Sequence, residues 1–414
     1  MSDAVCPAGY HGFEPFDMNN PFPSYAELRH EQPVMFDDRI GYYVVSRYDD
    51  IKATFENWET FSSENAQAPV RPLGEPAKKI MAEGGFTAYS GLSARIPPDH
   101  TRIRAVASKA FTPRRYKVME PMIRENVQNM IRQMLAKGAE GGDILTDIAY
   151  ELPTITILTL LGVPVSKIPE VKEWATSRAV ITWADLNDEE QIPHAHNMVK
   201  YWNYCQFLVT NAKENPGDNL VSDMVGFQAA GDEISDHEIA SVLYSMLFAG
   251  HETTTTLISN AIRVLLQHRV AYESLVQDPE KIPAAIDEVL RYSPSIVAWR
   301  RKAVKDGEIG GVAIPMGSEV LLVMGSANRD EAVFDQPDAF DIGRENARSH
   351  LAFGYGIHYC LGNMLAKLQA RVAIEEITKN VPSLRLKPGS EISFGANLSF
   401  RVPTSVPVEW DLAS

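Results

Sequence analysis

Cysteine is scarce: a chain of 414 residues holds three, Cys6, Cys205 and Cys360. An odd number, spread over the whole length with no CxxC pair, argues against a disulfide framework and against a structural zinc site. Long apolar runs are missing too. The longest candidate, Leu152 to Val165, is broken by Pro153, Pro164 and three threonines, and falls short of the ~20 residues of a membrane span. Positive charge is in deficit, with Lys+Arg 39 against Asp+Glu 54 and a formal net charge of −15. Such a field opposes approach to phosphate backbones and anionic membranes, so no nucleic-acid or membrane partner is expected. The segment Met1 to Tyr25 has neither the basic start nor the apolar core of a signal peptide, which gives a cytoplasmic expectation. No Gly/Ser linker, repeat or low-complexity tract marks a domain boundary, although 26 Gly and 26 Pro punctuate the chain.

What is present is mostly helical pattern. Apolar residues recur at i, i+3, i+4 in Val118 to Leu135, in Tyr201 to Ala212 and after Ser235. Tyr42 to Val45 reads as a strand, and the stretch from about Asn65 to Pro98, long and without periodicity, reads as a binding loop. After Arg300 the pattern changes. Gly310 to Gly317 followed by Glu319 to Val323 predicts a strand, a Pro-Met-Gly turn and a second strand. A helix from Leu361 to about Thr378 and a β-like tail through Trp410 complete the chain.

Ser235 and Glu238 fit a capping box, and the stripe Ile239, Val242, Leu243, Met246, Leu247, Leu257, Ile258, Ala261, Val264, Leu265 predicts a buried central helix of about 30 residues, roughly 45 Å long. Its middle departs from core composition: Ala249-Gly250-His251-Glu252-Thr253-Thr254-Thr255-Thr256 puts a small pair, a carboxylate and four hydroxyls there. On a surface helix this would be a solvated face with threonines bonding back to carbonyls; the apolar residues on several sides point instead to a cavity. His251-Glu252 begins like the zinc-protease pattern HExxH, but the fifth position is Thr255 and that reading fails.

Cys360 lies among glycines 354, 356 and 362, just before an amphipathic helix. Glycines at this density permit positive φ and close approach of backbone to a flat or bulky group, and a helix start favours the thiolate that ligates metals. The string Phe353-Gly354-x-Gly356-x-His358-x-Cys360-x-Gly362, continued by Leu365-Ala366, resembles the haem-binding signature of the cytochrome P450 family. Ala249 to Thr254 resembles that family's oxygen-activation motif, Glu288-x-x-Arg291 its ExxR pair, Phe334 to Asp341 the segment after that pair, and Pro97 to Arg104 the start of its propionate-binding helix.

The resemblance, which runs from about residue 20 to 410, implies a single domain, predominantly α with small β-sheets, in which the long central helix crosses over haem b. It implies Cys360 as the axial thiolate; His100, Arg104, Arg301 and His358 at the propionates, with Arg300 competing for the place of Arg301; Phe353, Gly354 and Ala249 in the haem pocket; and Glu252 and Thr253 delivering protons to dioxygen. Glu288 and Arg291 are given a structural role only. Three positions depart from the usual pattern, Lys367, Ile96 and His358, and none threatens haem binding; the last is common among soluble bacterial members. The Gly250-His251-Glu252-Thr253-Thr254 run is similar to the haem portions of self-sufficient fused types.

The activity implied is monooxygenation, by C–H hydroxylation or O- or N-dealkylation, of a small apolar or aromatic substrate. The segment after Cys360 is too short for a flavin or iron–sulfur domain, so no fused reductase is expected and electrons come from a separate ferredoxin or flavodoxin with its reductase. Lys109, Arg114, Arg115, Lys117, Lys367 and Arg371 are the candidate docking cations. Segments 68–91, 176–202, 296–299 and 393–400, with Met246, are the expected pocket walls; Ile296, Val297, Trp299, Phe394 and Leu398 are the apolar candidates, with no evident pocket cation. The rival readings are a peroxide-driven haem-thiolate enzyme, or an isomerase or lyase needing no oxygen, which the Glu252-Thr253 pair disfavours, and a haem-based sensor or electron-transfer protein, for which no output domain is left over.

Overall fold

The computed structural model describes residues 12–88 and 91–411. The helix Asp236–Gln267 is the axis of the molecule. Ser235 caps it as expected, accepting from the Glu238 N–H while the Glu238 carboxylate accepts from the Ser235 N–H at 2.8 Å. Glu238 also takes Arg102 Nη2 at 2.6 Å, and this pairing holds its carboxyl down at about 2. Helices Leu152–Leu160, Ile168–Trp183, Asp188–Glu214, Ile282–Tyr292 and Asn363–Asn380 pack around the axis. Because neighbours cover it on several sides, its apolar residues do too, and the largest core cluster includes Ile239, Leu243, Leu257, Ile258, Ala261 and Leu265.

A five-stranded sheet flanks the helical body in the order Val34–Asp37, Tyr42–Val45, Glu319–Leu322, Trp299–Ala303, Phe61–Ser62. Every pairing is antiparallel except that of Tyr42–Val45 with Glu319–Leu322, where Val45 faces Leu322. The strands expected around Pro315 exist but do not pair with each other. Gly310-Gly311 is the turn of a hairpin joining Gly307–Ile309 to Val312–Ile314, both glycines at positive φ, while Glu319–Leu322 enters the larger sheet. The stretch expected as a loop holds a helix, Glu75–Glu83. The tail contributes Pro407–Glu409 to a small three-stranded sheet. Predominant helix with small sheets is thus as expected, and among the described residues no helix is long and apolar enough to cross a membrane.

Candidate active site

The Cys360 loop is built by backbone geometry. Gly354 and Gly356 take φ of 70° and 68°, and a Cβ on Gly356 would stand 3.2 Å from the Phe55 carbonyl oxygen, so both positive φ and close approach require glycine there. The Cys360 N–H bonds the Phe353 carbonyl at 3.0 Å, and Asn363 Nδ2 bonds the Cys360 carbonyl at 2.7 Å. The N–H groups of Gly362 and Asn363, at the start of the Asn363–Asn380 helix, point at the sulfur. They and Arg104 favour the thiolate, but burial outweighs them and raises the thiol above its ordinary range. The helix start alone therefore does not make the thiolate; a bound metal cation would supply the missing charge. Cys205 is buried with its thiol pushed upward, and Cys6 lies outside the described residues.

Cys360 forms part of the wall of a cavity of about 270 Å³, lined also by the middle of the central helix through Ala249, Gly250, Thr253 and Thr254. Thr253 Oγ1 donates to the Ala249 carbonyl at 2.5 Å, the back-bond foreseen for a threonine within a helix, and Ser295 Oγ holds the Thr253 carbonyl at 2.9 Å. Glu252 does not line the cavity. Its side chain, 19% exposed, is directed to a cluster from neighbouring elements: His251 Nδ1 at 3.4 Å, with Tyr150 and Lys172 close enough to act on it electrostatically. Lys172 Nζ bonds Glu151 Oε1 at 2.6 Å and sits 3.4 Å from the Tyr150 ring centre. Burial raises the Glu252 carboxyl and Lys172 counters it. His251, lowered to about 4 by burial and Lys172, is neutral at pH 7, so its contact with Glu252 is not an ion pair.

At one edge of the cavity four cationic or polar groups converge. The rings of His100 and His358 lie 4.4 Å apart, and Arg301 and Arg104 line the same space. His100 Nε2, His358 Nε2, Arg301 Nε and Arg301 Nη2 are all buried without a hydrogen-bond partner among the described residues. Burial and their mutual repulsion drive His100 to about 4 and His358 to about 2, while burial alone brings Arg301 to about 9. Orphaned buried polar groups, two of them on a cation, are costly unless acceptors meet them, and the paired anionic propionates of a haem would do so. Strand alternation separates the two neighbouring arginines. Trp299 and Arg301, two residues apart on one face, line the cavity, and Arg300 points the other way, 3.9 Å from the Trp183 ring centre.

Glu288 and Arg291 are fully buried and joined by two bonds of 2.7 Å. Arg344, which no sequence motif singled out, completes the group at 3.3 Å from Glu288 and bonds the carbonyls of Asp335, Gln336 and Ala339. Of the expected apolar pocket residues, Ile296, Trp299 and Met246 line the cavity. Val297 and Phe394 pack with Met18 instead, and Leu398 packs in the cluster of Phe248 and Phe400 without itself lining the cavity. Phe248, Phe400, Leu92 and Ser93 were not anticipated individually, and the expectation of no pocket cation is corrected by Arg178.

A family model for cytochrome P450 matches residues 42–381. The chain is 35% identical over 372 residues to a putative cytochrome P450, YjiB, of Bacillus subtilis, covering 89% of each, and 34% identical to the erythromycin C-12 hydroxylase of Saccharopolyspora erythraea, covering 84% of each. Among solved structures it superposes on cytochrome P450 CREJ in complex with (4-ethylphenyl) dihydrogen phosphate at a TM-score of 0.95, with 65% identity over 97% of this chain and 100% of that one. It also superposes on an intact type IV self-sufficient cytochrome P450 monooxygenase at 0.92, with 34% identity over 97% of this chain and 53% of that one. The cysteine loop, the donor edge and these similarities agree, and the chain belongs to the cytochrome P450 family of monooxygenases, whose cofactor is haem b.

Proposed function

We propose that this monooxygenase oxidises the alkyl arm of a small aromatic compound, by C–H hydroxylation or by O- or N-dealkylation, with electrons from a separate ferredoxin or flavodoxin and its reductase. The observation that carries the reading is the apolar lining of the cavity that Cys360 borders: Trp299, Phe400, Phe248, Ile296, Met246 and Leu92 offer aromatic and aliphatic surface to a flat apolar body. The alkyl-aryl compound bound by the CREJ structure is the model for that body.

In this reading Cys360 holds the iron, His100, Arg104, Arg301 and His358 take the propionates, and Phe353, Gly354 and Ala249 shape the haem pocket. The haem, when bound, supplies reductive activation of dioxygen. The chain supplies position and protons. Thr253 Oγ1 donates its hydrogen to the Ala249 carbonyl, so toward a ligand in the cavity it can only accept a hydrogen bond and hold a donor in place. Glu252, with its carboxyl raised by burial, keeps a proton closer to neutral pH than an exposed glutamate and is the proton source of this reading.

Tyr116, near the start of the Pro113–Leu135 helix, feels the charge of Cys360, so that helix start lies on the cysteine side of the haem site. Of the candidate docking cations, Lys109, Arg115, Lys367 and Arg371 are each paired with a carboxylate of the same chain. Arg114 and Lys117 are exposed with no such partner among the described residues. Docking of an acidic redox protein therefore rests mainly on those two.

The test is the absorption spectrum of dithionite-reduced protein under carbon monoxide, beside Cys360→Ala, followed by product analysis under ¹⁸O₂ with 4-ethylphenyl phosphate. A strongly red-shifted Soret band that the mutant loses, with one labelled oxygen in the product, is the expected result. A histidine-type band, or unlabelled product, overturns the reading.

A further inference from the structure

Three arginines line the cavity. Arg104 and Arg301 stand at the donor edge assigned to the propionates; Arg178 does not. It projects from the Ile168–Trp183 helix and is 2% exposed. Nη1 donates to the Tyr244 carbonyl at 2.7 Å and Nη2 to Gln67 Oε1 at 3.3 Å, and the guanidinium lies 4.4 and 5.2 Å from the ring centres of Tyr244 and Phe248. These contacts fix the plane of the group and neutralise none of its charge. Among the described residues no carboxylate is paired with it, whereas the equally buried Arg291 has Glu288.

A guanidinium has five N–H donors, and the two bonds to neighbours leave the rest. A buried cation held rigidly without a counter-ion is strongly unfavourable unless something supplies one, and the space beside Arg178 is the substrate cavity. Gln67, also in the wall, accepts from Arg178 with its oxygen, which leaves its amide N–H₂ as a further donor. Tyr244, whose carbonyl holds Arg178, precedes Ala249 by five helical residues, ~7.5 Å along the axis. That is about the reach of one para-substituted ring.

We propose that Arg178 and Gln67 are the anion-binding point of the cavity, so that the substrate carries a tetrahedral or planar oxyanion at the end away from the carbon presented to Cys360. The assignment rests on the alkyl-aryl reading above and adds to it the specificity-determining residues. An oxyanion accepts the forked N–H donors of Arg178 in parallel, with charge assistance, and Gln67 adds a neutral donor at the rim. A neutral phenol leaves the guanidinium uncompensated, and discrimination by a buried group left unpaired is larger than discrimination by apolar fit.

The experiment is calorimetric titration of the haem-loaded protein with 4-ethylphenyl phosphate, 4-ethylbenzoate and 4-ethylphenol, for wild type, Arg178→Gln, Arg178→Lys and Gln67→Leu. The expected result is a preference of about a hundredfold for an anion over the phenol in wild type. It falls to within severalfold in Arg178→Gln, is partly restored in Arg178→Lys and is weakened severalfold in Gln67→Leu, while the phenol's affinity stays nearly constant. The phosphate and carboxylate arms tell which oxyanion is preferred. Equal binding of phenol and anions by wild type, or an anion preference that survives Arg178→Gln, overturns the proposal. Should Arg178→Gln fail to fold, an anion preference unchanged in both Arg178→Lys and Gln67→Leu overturns it equally. Oxidation of the phenol without anion preference would sink the anion site and leave the alkyl-aryl function standing; Arg178-dependent anion binding with no oxidation of any of the three would do the reverse.

Discussion

Arg291→Lys keeps a positive charge beside Glu288, yet the structure predicts a large loss of stability. Arg291 makes five bonds from a fully buried position: two to the Glu288 carboxylate, and one each to the carbonyls of Asn328, Pro337 and Ala339 at 3.0, 2.7 and 2.9 Å. A lysine ammonium can follow the carboxylate but cannot fork to the carbonyls as well. Arg344 still reaches the Ala339 carbonyl, so the Asn328 and Pro337 carbonyls are the acceptors stranded, at about 2 kcal/mol each and about 4 kcal/mol together. The unfolding entropy of a 414-residue chain is about 0.9 kcal/mol/K, so the shift in Tm is only about 4–5 °C. Chemical denaturation therefore resolves the loss better, as a fall in midpoint at unchanged slope. Arg344→Gln, which touches Glu288 at 3.3 Å from the rim of the group, should lose about half as much. The double variant should lose less than the two single losses together, because both arginines hold the Ala339 carbonyl and the Glu288 carboxylate. A loss under about 1 kcal/mol for Arg291→Lys would refute the reasoning, since it would mean that the carbonyls find water or other partners.

Glu252→Gln should stabilise the fold at neutral pH. The folded carboxyl is raised, so the folded state binds protons more tightly than the unfolded one and wild-type stability falls as pH rises through the folded pKa; the gain in Tm from Gln should vanish below the ordinary carboxylate range, and a gain independent of pH defeats the explanation. Glu238→Gln should behave oppositely. Its folded carboxyl is held at about 2 by Arg102 and the helix cap, so it stabilises above its unfolded value, and the cost of the substitution should fade as pH drops from about 4.5 toward 2 in a thermal-melt series. Gly356→Ala imposes φ of +68° on a Cβ 3.2 Å from the Phe55 carbonyl, for about 1–3 kcal/mol, and should lower haem retention along with Tm; unchanged retention would separate the loop's shape from haem binding. Charge reversal at both Arg114 and Lys117 should slow electron transfer from an acidic donor and flatten its salt dependence in stopped-flow reduction, and rates that do not move exclude docking there.

The elements legible from sequence were those whose information is local. The capping box at Ser235 and the apolar stripe after it define a helix from neighbours in the chain, and the Cys360 loop announces itself by glycines that its backbone requires. The pairing of Trp299 to Ala303 with strands far away could not be read that way, although once the strand is known, alternation assigns Arg301 to the cavity and Arg300 to Trp183. Arg178 is hardest to foresee. It sits within an ordinary helix, Ile168–Trp183, in no motif, and its meaning comes from Tyr244, Gln67 and Phe248, which other parts of the chain bring to it. The surroundings of Glu252 are of the same kind, since Lys172, Tyr150 and Glu151 arrive from two further elements. Val297 and Phe394 show the converse: near the cavity in sequence, they pack in another cluster, beside Met18.

The parallel pairing of Tyr42–Val45 with Glu319–Leu322 also governs how the molecule can be made. On a ribosome, the hairpin of Val34–Asp37 with Tyr42–Val45 emerges early and can close at once, but its second strand keeps an open edge until most of the polypeptide has been synthesised. Throughout that interval the helical body can assemble from local contacts, whereas the sheet waits for a partner with no local alternative. The nascent chain thus carries an unpaired β edge for most of its synthesis, the state in which a holdase chaperone is most useful and in which truncated products aggregate.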